Sequence, residues 1–389
     1  MENKFDIVIV GAGAVGLSLA CALANQAKFK ILLIDKRDLT APAKTGRSMA
    51  LSFSSERFYK RFDLEDFAKV ATPIEEVITT IQGQFGSLRM RASEMQVMAL
   101  GQVISLDFLE NTLRKKLLEF NNIKSLSETY LESIAHPAKP LLKLKNKSGQ
   151  ILIEAKLVIG TDGSNSQVAL NAGINYSVTE YGHQALINHV TTSKSHQNRA
   201  FERFTQSGAL ALLPYGPCRN TFIWTVPPDK ATQLIAMSDE AYLEAAEAQF
   251  GFKLGKWLNG SPRVTYPLTQ RIAHKSVHQR LVLMGNSAHT LHPVAAQGLN
   301  LSVRDISSFV KCISNTDIND DVAISKSLEA YKKQVKQDQH LTITMTNFIA
   351  KQVSNHRYPA SLKALILRGL DHNELIKKAI TRAAMGLNR

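Results

Sequence analysis

FDIVIVGAGAVGLSLACALANQ, residues 5–26, decides the fold. The β-branched run Phe5–Val10 reads as a strand, and the chain beyond Gly16 has helical propensity. Between them stand Gly11, Gly13 and Gly16. Glycines at this spacing allow a tight turn, close approach of the backbone to a pyrophosphate, and tight packing of helix on strand. With Ala14 and Val15 the first helical turn would present oriented N–H groups and a partial positive charge. KILLID (30–35) is a second strand ending in Asp35, followed by Lys36. A carboxylate there can accept hydrogen bonds from an adenosine ribose, whereas a merely tight turn has no use for it. The unit is the opening of a doubly wound, Rossmann-like sheet that binds a dinucleotide. By itself it does not separate FAD from NAD.

With 389 residues the chain can bury two cores, and its 21% charged content is that of a globular protein. Cys21, Cys218 and Cys312 are widely spaced and odd in number, which predicts reduced thiols and a cytoplasmic setting. The net charge of +14 favours anionic partners. The basic regions hold few aromatics and no recognition motif, so nucleic acid is not expected. Ile7–Ala24 is uncharged and about as long as a short membrane span. Its leader MENK carries no net positive charge and glycines interrupt it, so neither a signal peptide nor a transmembrane segment is expected.

Farther along, Asp107–Phe120 reads as an amphipathic helix, and 141–163 as a hairpin around Asn146–Gly149 followed by a strand and a turn. From about Asn175 alternating stretches such as QALINHV (184–190), ALALLP (209–214) and NTFIWTV (220–226) predict an antiparallel sheet, interrupted by one helix around Asp239–Phe250. RLVLMG (280–285) restores the strand signal, and a long helix follows Pro293. Residues 1–174 and 271–340 therefore read as two parts of one α/β domain, 175–270 as an inserted, mostly antiparallel β domain for substrate, and 341–389 as C-terminal helices.

Two further motifs carry chemistry. In Thr161-Asp162-Gly163 an Asp–Gly turn at a strand end can aim a carboxylate at ribose or ribityl hydroxyls, although an ordinary turn has the same look. In GNSAHTLHPVAAQGLN (285–300) Pro293 suits a helix entrance. The N–H groups of Gln297, Gly298, Leu299 and Asn300 would then sit at a positive helix end, which stabilises charge developing on a ligand such as a reduced flavin ring. His289 and His292 invite a metal reading, but the pair lacks a third ligand and Pro293 breaks a continuing helix. No metal is expected, and both histidines are read as packing or flavin-edge residues.

Together these motifs, spread from residue 5 to residue 305, resemble the flavin-dependent aromatic hydroxylases with the para-hydroxybenzoate hydroxylase fold. GNSAHTLHPVAAQGLNL, with GQFG (83–86), ALGQV (99–103) and RAFERFTQSGALALLP (199–214), is similar to the ubiquinone-biosynthesis branch, and within it to the 2-polyprenyl-6-methoxyphenol hydroxylases. The resemblance implies a discontinuous FAD-binding domain. Gly11, Gly13, Gly16 and Asp35 would hold the ADP half, Arg47 would lie near the pyrophosphate or ring, and Gln102 and Gly285 would border the cofactor. Asp162 and Asn286 would contact its sugar-like chain, and Pro293 and Gln297–Asn300 its ring. At position 286 most relatives carry Asp, whereas that branch carries Asn, as this chain does with Asn286; its amide can both accept and donate. Ala169 stands where many relatives have arginine, so no NAD(P)H-binding arginine is assigned there.

The implied reaction converts a 2-polyprenyl-6-methoxyphenol to the 1,4-benzoquinol through a flavin C4a-hydroperoxide, with O2 as co-substrate and either NAD(P)H or a protein as reductant. Phe222 and Trp224 share one face of a strand that either lines an apolar substrate pocket or packs in the core, and Pro214 and Tyr215 stand at a strand end. His183 and Tyr215 are read either as core or surface residues or as an aid to deprotonating a phenol, and no base is assigned. Leu362, Leu365, Ile366 and Leu370, then Leu375, Ile376, Ala379, Ile380 and Ala383, recur at helical spacing opposite basic residues. Such helices either pack on protein or dock on anionic lipid, which would make the protein peripheral to the inner membrane. A complex with other ubiquinone-biosynthesis proteins fits the same resemblance. Rival readings are a sister hydroxylase acting at another ring position, a halogenase, and a non-catalytic flavoprotein subunit of a lipid-modifying assembly. Trp224 and Trp257 form no Trp-x-Trp element, and the intact glycines with Asp35 argue against a non-catalytic role.

Overall fold

The structure is a computed structural model that describes residues 3–387 apart from 27, 65 and 355–358. Its first sheet has a parallel centre in which Leu281–Leu283, Gly149–Gly160, Lys4–Val10, Ile31–Ile34 and Ile123–Leu126 lie side by side. These strands are apolar on both faces because both are covered. Ile7, Ile9, Ile31, Leu33 and Ile159 face the helices Ala14–Ala24, Leu106–Leu117 and Gln297–Ile313. Val8, Val10, Leu32, Ile34 and Val158 face the antiparallel strands Tyr130–Ala135 and Leu141–Asn146 and the short helix Gln167–Asn171. The hairpin expected at Asn146–Gly149 is there, with those two residues paired at its tip.

The second sheet runs His289–Thr290, Val264–Ala273, Tyr176–Thr192, Arg219–Val226, Gly208–Pro214, Arg199–Thr205, Glu76–Ile81, Ser87–Arg91. Most of it is antiparallel, as the alternation predicts, but its edges come from elsewhere in the chain. Glu76–Ile81 pairs in parallel with Arg199–Thr205, so a stretch well before residue 175 completes this sheet. His289–Thr290 joins it from the other side of the insert. Two helices rather than one cover its outer face: Pro228–Ala236, and Asp239–Phe250, which begins at Ser238, whose hydroxyl accepts from the Ala241 amide.

Between the sheets lies a small antiparallel sheet of Ser48–Ser52, Gly101–Ser105 and Thr72–Ile74. The helix Asp321–Ser354 packs on Gln297–Ile313, tied by the Arg304–Asp338 ion pair at 2.8 Å and an edge-on Phe309–Tyr331 contact. Ala360–His372 and Glu374–Ala384 then lean on Ser87–Arg91, where Lys377 reaches Glu94 at 3.1 Å and Asp371 accepts from the Arg89 amide. These two helices bury Ala364, Lys377 and Thr381 but leave Leu362, Leu365, Ile366, Leu375 and Ile376 exposed.

Candidate functional site

The three motifs meet at the carboxyl ends of the parallel strands. Gly11 has φ +104, and a Cβ there would stand 2.6 Å from the Thr161 carbonyl oxygen. A Cβ on Gly16 would stand 1.8 Å from the Gly11 oxygen and 2.7 Å from the Thr161 hydroxyl. Both positions demand glycine because the first and second motifs are in direct contact. Gly285, at φ +66, packs against Val15, where an added Cβ would come within 3.0 Å, so the third motif closes on the first. Ser287 donates to the Gly160 oxygen and completes the joint. At Gly13, by contrast, an added Cβ would meet nothing nearer than Glu110 Oε1 at 3.8 Å, and at Gly163 and Gly298 nothing within 4 Å. Those glycines hold open the face that a dinucleotide would cover.

Asp35 is nearly buried and heavily engaged. Its carboxylate accepts from the amides of Ala12 (2.6 Å) and Arg37 (2.7 Å) and from the Arg37 guanidinium at 3.1 Å. Burial opposes its ionisation, yet the hydrogen bonds from Arg37 and Ala12 outweigh it and hold the carboxyl below its ordinary range. Arg37 also donates to the Ala12 oxygen and lies 3.5 Å from Glu110, which accepts from the Ala14 amide at 3.1 Å. Burial raises the Glu110 pKa, with Arg37 and Arg114 opposing it. Arg37 and Glu110 were not legible as site residues. The available signal was an acid on the buried face of a helix, beside Leu109, Leu113 and Leu117.

Asp162 accepts from the Gln167 and Val168 amides through Oδ2, and burial raises its pKa. Its Oδ1 is buried without a hydrogen-bond partner among the described residues. A buried, unpaired carboxylate oxygen is costly unless a ligand supplies the donor, which is what a hydroxyl-bearing cofactor chain would do. Asn286 is exposed at the same strand ends, its carbonyl held by the Thr290 hydroxyl at 3.0 Å. Lys36 is exposed beyond Asp35. Arg47 is exposed too, its guanidinium 5.3 Å from the ring centre of Tyr266, so it bridges to the second sheet. Gln102 is half-buried in the small sheet opposite Leu51 and Pro73.

Pro293 starts a short 3-10 turn, Ala296 takes a left-handed φ of 49°, and the helix begins at Gln297. Asn300 is buried and pins this helix end to the small sheet, accepting from Ser52 N–H at 2.8 Å and donating to the oxygens of Ala50 and Ala296. Leu299 packs into the main core. Pro293, Ala296, Gln297 and Asn300 form one wall of an apolar cavity. The opposite wall is the inner face of the second sheet, with Val77, Ala200, Glu202, Ala211, Ile223 and Thr225, and the end of the C-terminal helix closes it with Thr381, Ala384 and Met385. His292 also lines it; its Nδ1 accepts from the Val294 amide at 3.1 Å, and burial pushes its pKa down to about 4. His289 turns elsewhere, to Asp305 at 2.7 Å, and Gln339 donates to the same carboxylate. The two histidines thus serve separate partners.

The residues read as substrate contacts fall differently. Phe222 and Trp224 are buried on the outer face of the second sheet, packed with Tyr242 and Trp257 beneath the two helices. Their intervening neighbours Ile223 and Thr225 face the cavity instead. Pro214 is buried at a strand end opposite Asn220, with Leu213 rather than Pro214 on the cavity wall. Tyr215 stacks on His189 at 4.7 Å and lines a separate cleft with Lys69 and Arg219. His183 is half-buried next to the bulge at Gly182, its Nδ1 against the Tyr181 carbonyl and its ring near enough to His292 to depress that pKa.

A dinucleotide cradle beside an apolar cavity, with a helix end between them, defines the class: an FAD-dependent monooxygenase with the para-hydroxybenzoate hydroxylase-like fold. The chain belongs to the FAD binding domain family, whose profile matches residues 4–337. It is 29% identical to ubiquinone hydroxylase UbiL of Rhodospirillum rubrum, over 99% of this chain and 90% of that protein. It is 27% identical to 3-demethoxyubiquinol 3-hydroxylase of Escherichia coli, over 98% of each. Among solved structures, p-nitrophenol 4-monooxygenase PnpA from Pseudomonas putida shares the fold with a TM-score of 0.80 at 16% identity, over 100% of both chains. The chain is an enzyme that uses FAD and O2, and its relatives are hydroxylases of ubiquinone biosynthesis. No helix among the described residues is long and apolar enough to cross a membrane.

Proposed function

We propose that this enzyme hydroxylates a 2-polyprenyl-6-methoxyphenol to the corresponding 1,4-benzoquinol. The observation that carries the reading is the cavity, apolar over most of its wall, between the Gln297 helix end and the second sheet. FAD, when bound and reduced, activates O2 and supplies one oxygen atom to the ring. The Gly11–Gly16 loop and Asp35 hold its ADP half, with Lys36, Arg47 and Gln102 flanking; Asp162, Gly285 and Asn286 hold its sugar-like chain; Pro293 and Gln297–Asn300 border its ring. The helix end stabilises negative charge there. Aliphatic walls and Met385 exclude water and orient the substrate ring against the helix end. The test is anaerobic reduction of the flavoprotein, then addition of O2 and a short-chain 2-prenyl-6-methoxyphenol with product analysis. Absence of any hydroxylated product with every donor tried refutes the reading.

A second reading, hydroxylation at another ring position, is supported by the E. coli relative, which is named a 3-hydroxylase. The position of the new hydroxyl in the same product analysis separates the two. The exposed apolar residues of the last two helices, beside exposed Arg368, Lys378 and Arg382, support docking on an anionic bilayer from which a polyprenyl chain is drawn. Co-sedimentation with vesicles containing anionic lipid, lost in Leu365→Asp/Ile366→Asp, tests this; binding to a partner protein instead of vesicles assigns the face to a biosynthetic complex.

A further inference from the structure

Glu202 is the one carboxylate on the cavity wall among the described residues, and nothing pairs with it. It lies on Arg199–Thr205, opposite Ala211 on one neighbouring strand and Thr79 on the other. Ala200, Ala211 and Ile223 share its face of the sheet. The cations nearby are committed elsewhere: Arg199 and Arg91 to Glu76 at 3.1 and 2.9 Å, and Lys377 to Glu94. Arg203 alternates to the other face of the strand. With no cation opposing it, burial raises the Glu202 pKa to about 7. Half-buried in an apolar cavity without a partner, this acid costs stability when ionised, and a perturbed acid lining a cleft is a candidate for proton transfer.

The other titratable group on the wall is His292, and it does not take up a proton at neutral pH. Its Nδ1 accepts the Val294 N–H, which leaves the ring proton on Nε2, and Nε2 is buried with no partner among the described residues. It can donate to a substrate oxygen but is not a base. Tyr215 and His183 are not on the cavity wall.

We propose that Glu202 is the general base of the hydroxylation: its carboxylate takes the proton of the substrate phenol while His292 Nε2–H donates to the resulting phenolate oxygen. The substrate O–H bond breaks, an O–H bond forms on Glu202, and the electron pair stays on the phenolate, whose ring is then rich enough to attack oxygen. No electron leaves or enters in this step. A phenol of pKa about 10 is ionised to roughly one part in a thousand at pH 7, and a base raised from about 4.3 toward 7 halves the gap to it. This inference rests on the phenol reading above.

The test uses full-length, FAD-loaded protein with a short-chain 2-prenyl-6-methoxyphenol and a ring-fluorinated, more acidic analogue. In single turnovers the native enzyme should lose hydroxylation rate as pH falls through about 7. Glu202→Gln should bind the phenol with little change, as read from the flavin spectrum. At pH 8 it should hydroxylate at least about 100-fold more slowly, lose the acid limb, and recover on the acidic phenol. Glu202→Asp should keep the limb at a lower rate. Glu202→Gln with the native rate and limb overturns the proposal, as does an equal loss on both phenols, which marks a structural role. If the native enzyme oxidises no phenol, the substrate reading itself falls; if it does and Glu202→Gln is unaffected, only the base assignment falls.

Discussion

Gly13 and Gly16 belong to one motif, yet the structure predicts opposite consequences for adding a single methyl group. At Gly16 the new Cβ would sit 1.8 Å from the Gly11 carbonyl oxygen. Ordinary carbon–oxygen contacts are about 3.3 Å or longer, so helix and strand must separate by roughly 1.5 Å. That helix is buried along nearly its whole length, from Gly16 to Ala24, and has no free side into which to move. Overpacking of this kind costs about 3 kcal/mol, the upper part of its usual range. The apo-protein should melt roughly 4 °C lower. A shift of that size also carries the loop amides out of hydrogen-bonding reach, so FAD affinity should fall by about 100-fold or more. At Gly13, φ is −76°, which any residue adopts, and the nearest atoms to a new Cβ are at 3.8 and 4.0 Å. Gly13→Ala should therefore leave the apo melting temperature within about 2 °C of native while weakening FAD through obstruction alone. Calorimetry of apo-protein and quenching of flavin fluorescence measure the two quantities separately. A destabilised Gly13→Ala apo-protein, or a Gly16→Ala that melts and binds like the native chain, would refute the reasoning.

Three further outcomes follow from buried polar groups. Asn300→Ala strands the Ser52 amide and the Ala50 carbonyl, and should cost about 2–4 kcal/mol in denaturant titrations; a loss under about 1 kcal/mol would mean that the helix end is not held by this side chain. His292, with its pKa depressed to about 4, stays neutral in the fold while the unfolded chain protonates near 6.5. Stability should therefore fall as pH drops from about 6.5 to 4, by up to about 3 kcal/mol, and a His292→Gln variant should lack that slope. Parallel curves for the two proteins count against it. Glu202 has the opposite sign: with its pKa raised to about 7, its protonated form suits the fold, and stability is lost as pH climbs from about 4.5 to 7. Glu202→Gln should gain on the native protein between pH 5 and 8, by at most about 3 kcal/mol and by less where water reaches the carboxylate. No gain means that the carboxylate is solvated after all.

Much of the cofactor side was legible because its requirements are local. Gly16 answers to the Gly11 carbonyl within one strand–turn–helix unit, and Asp162 and Gly163 to one strand-end turn, whereas the crowding of Gly11 by Thr161 and Asp162 comes from the neighbouring strand. The substrate side was not. NTFIWTV and ALALLP are apolar on both faces, so alternation says which residues share a face without saying which face looks inward. Phe222 and Trp224 were the larger side chains and hence the natural pocket candidates, but two helices cover that face and leave Ile223 and Thr225 to the cavity. Glu76–Ile81 joins the second sheet through a parallel pairing that spans more than a hundred residues of chain, which no local pattern records.

By itself, then, the sequence determined the dinucleotide-binding unit, the presence of an antiparallel insert, and the helix end that follows Pro293, since each is set by φ preferences, periodicity or capping within a few residues. Only the tertiary structure decided where the chemistry sits. It brought Glu202 from one strand, His292 from a loop and Met385 from the last helix around one cavity. It also left the Glu202 carboxylate without a cation among the described residues, which is a property of everything packed around it and of no residue near it in the chain.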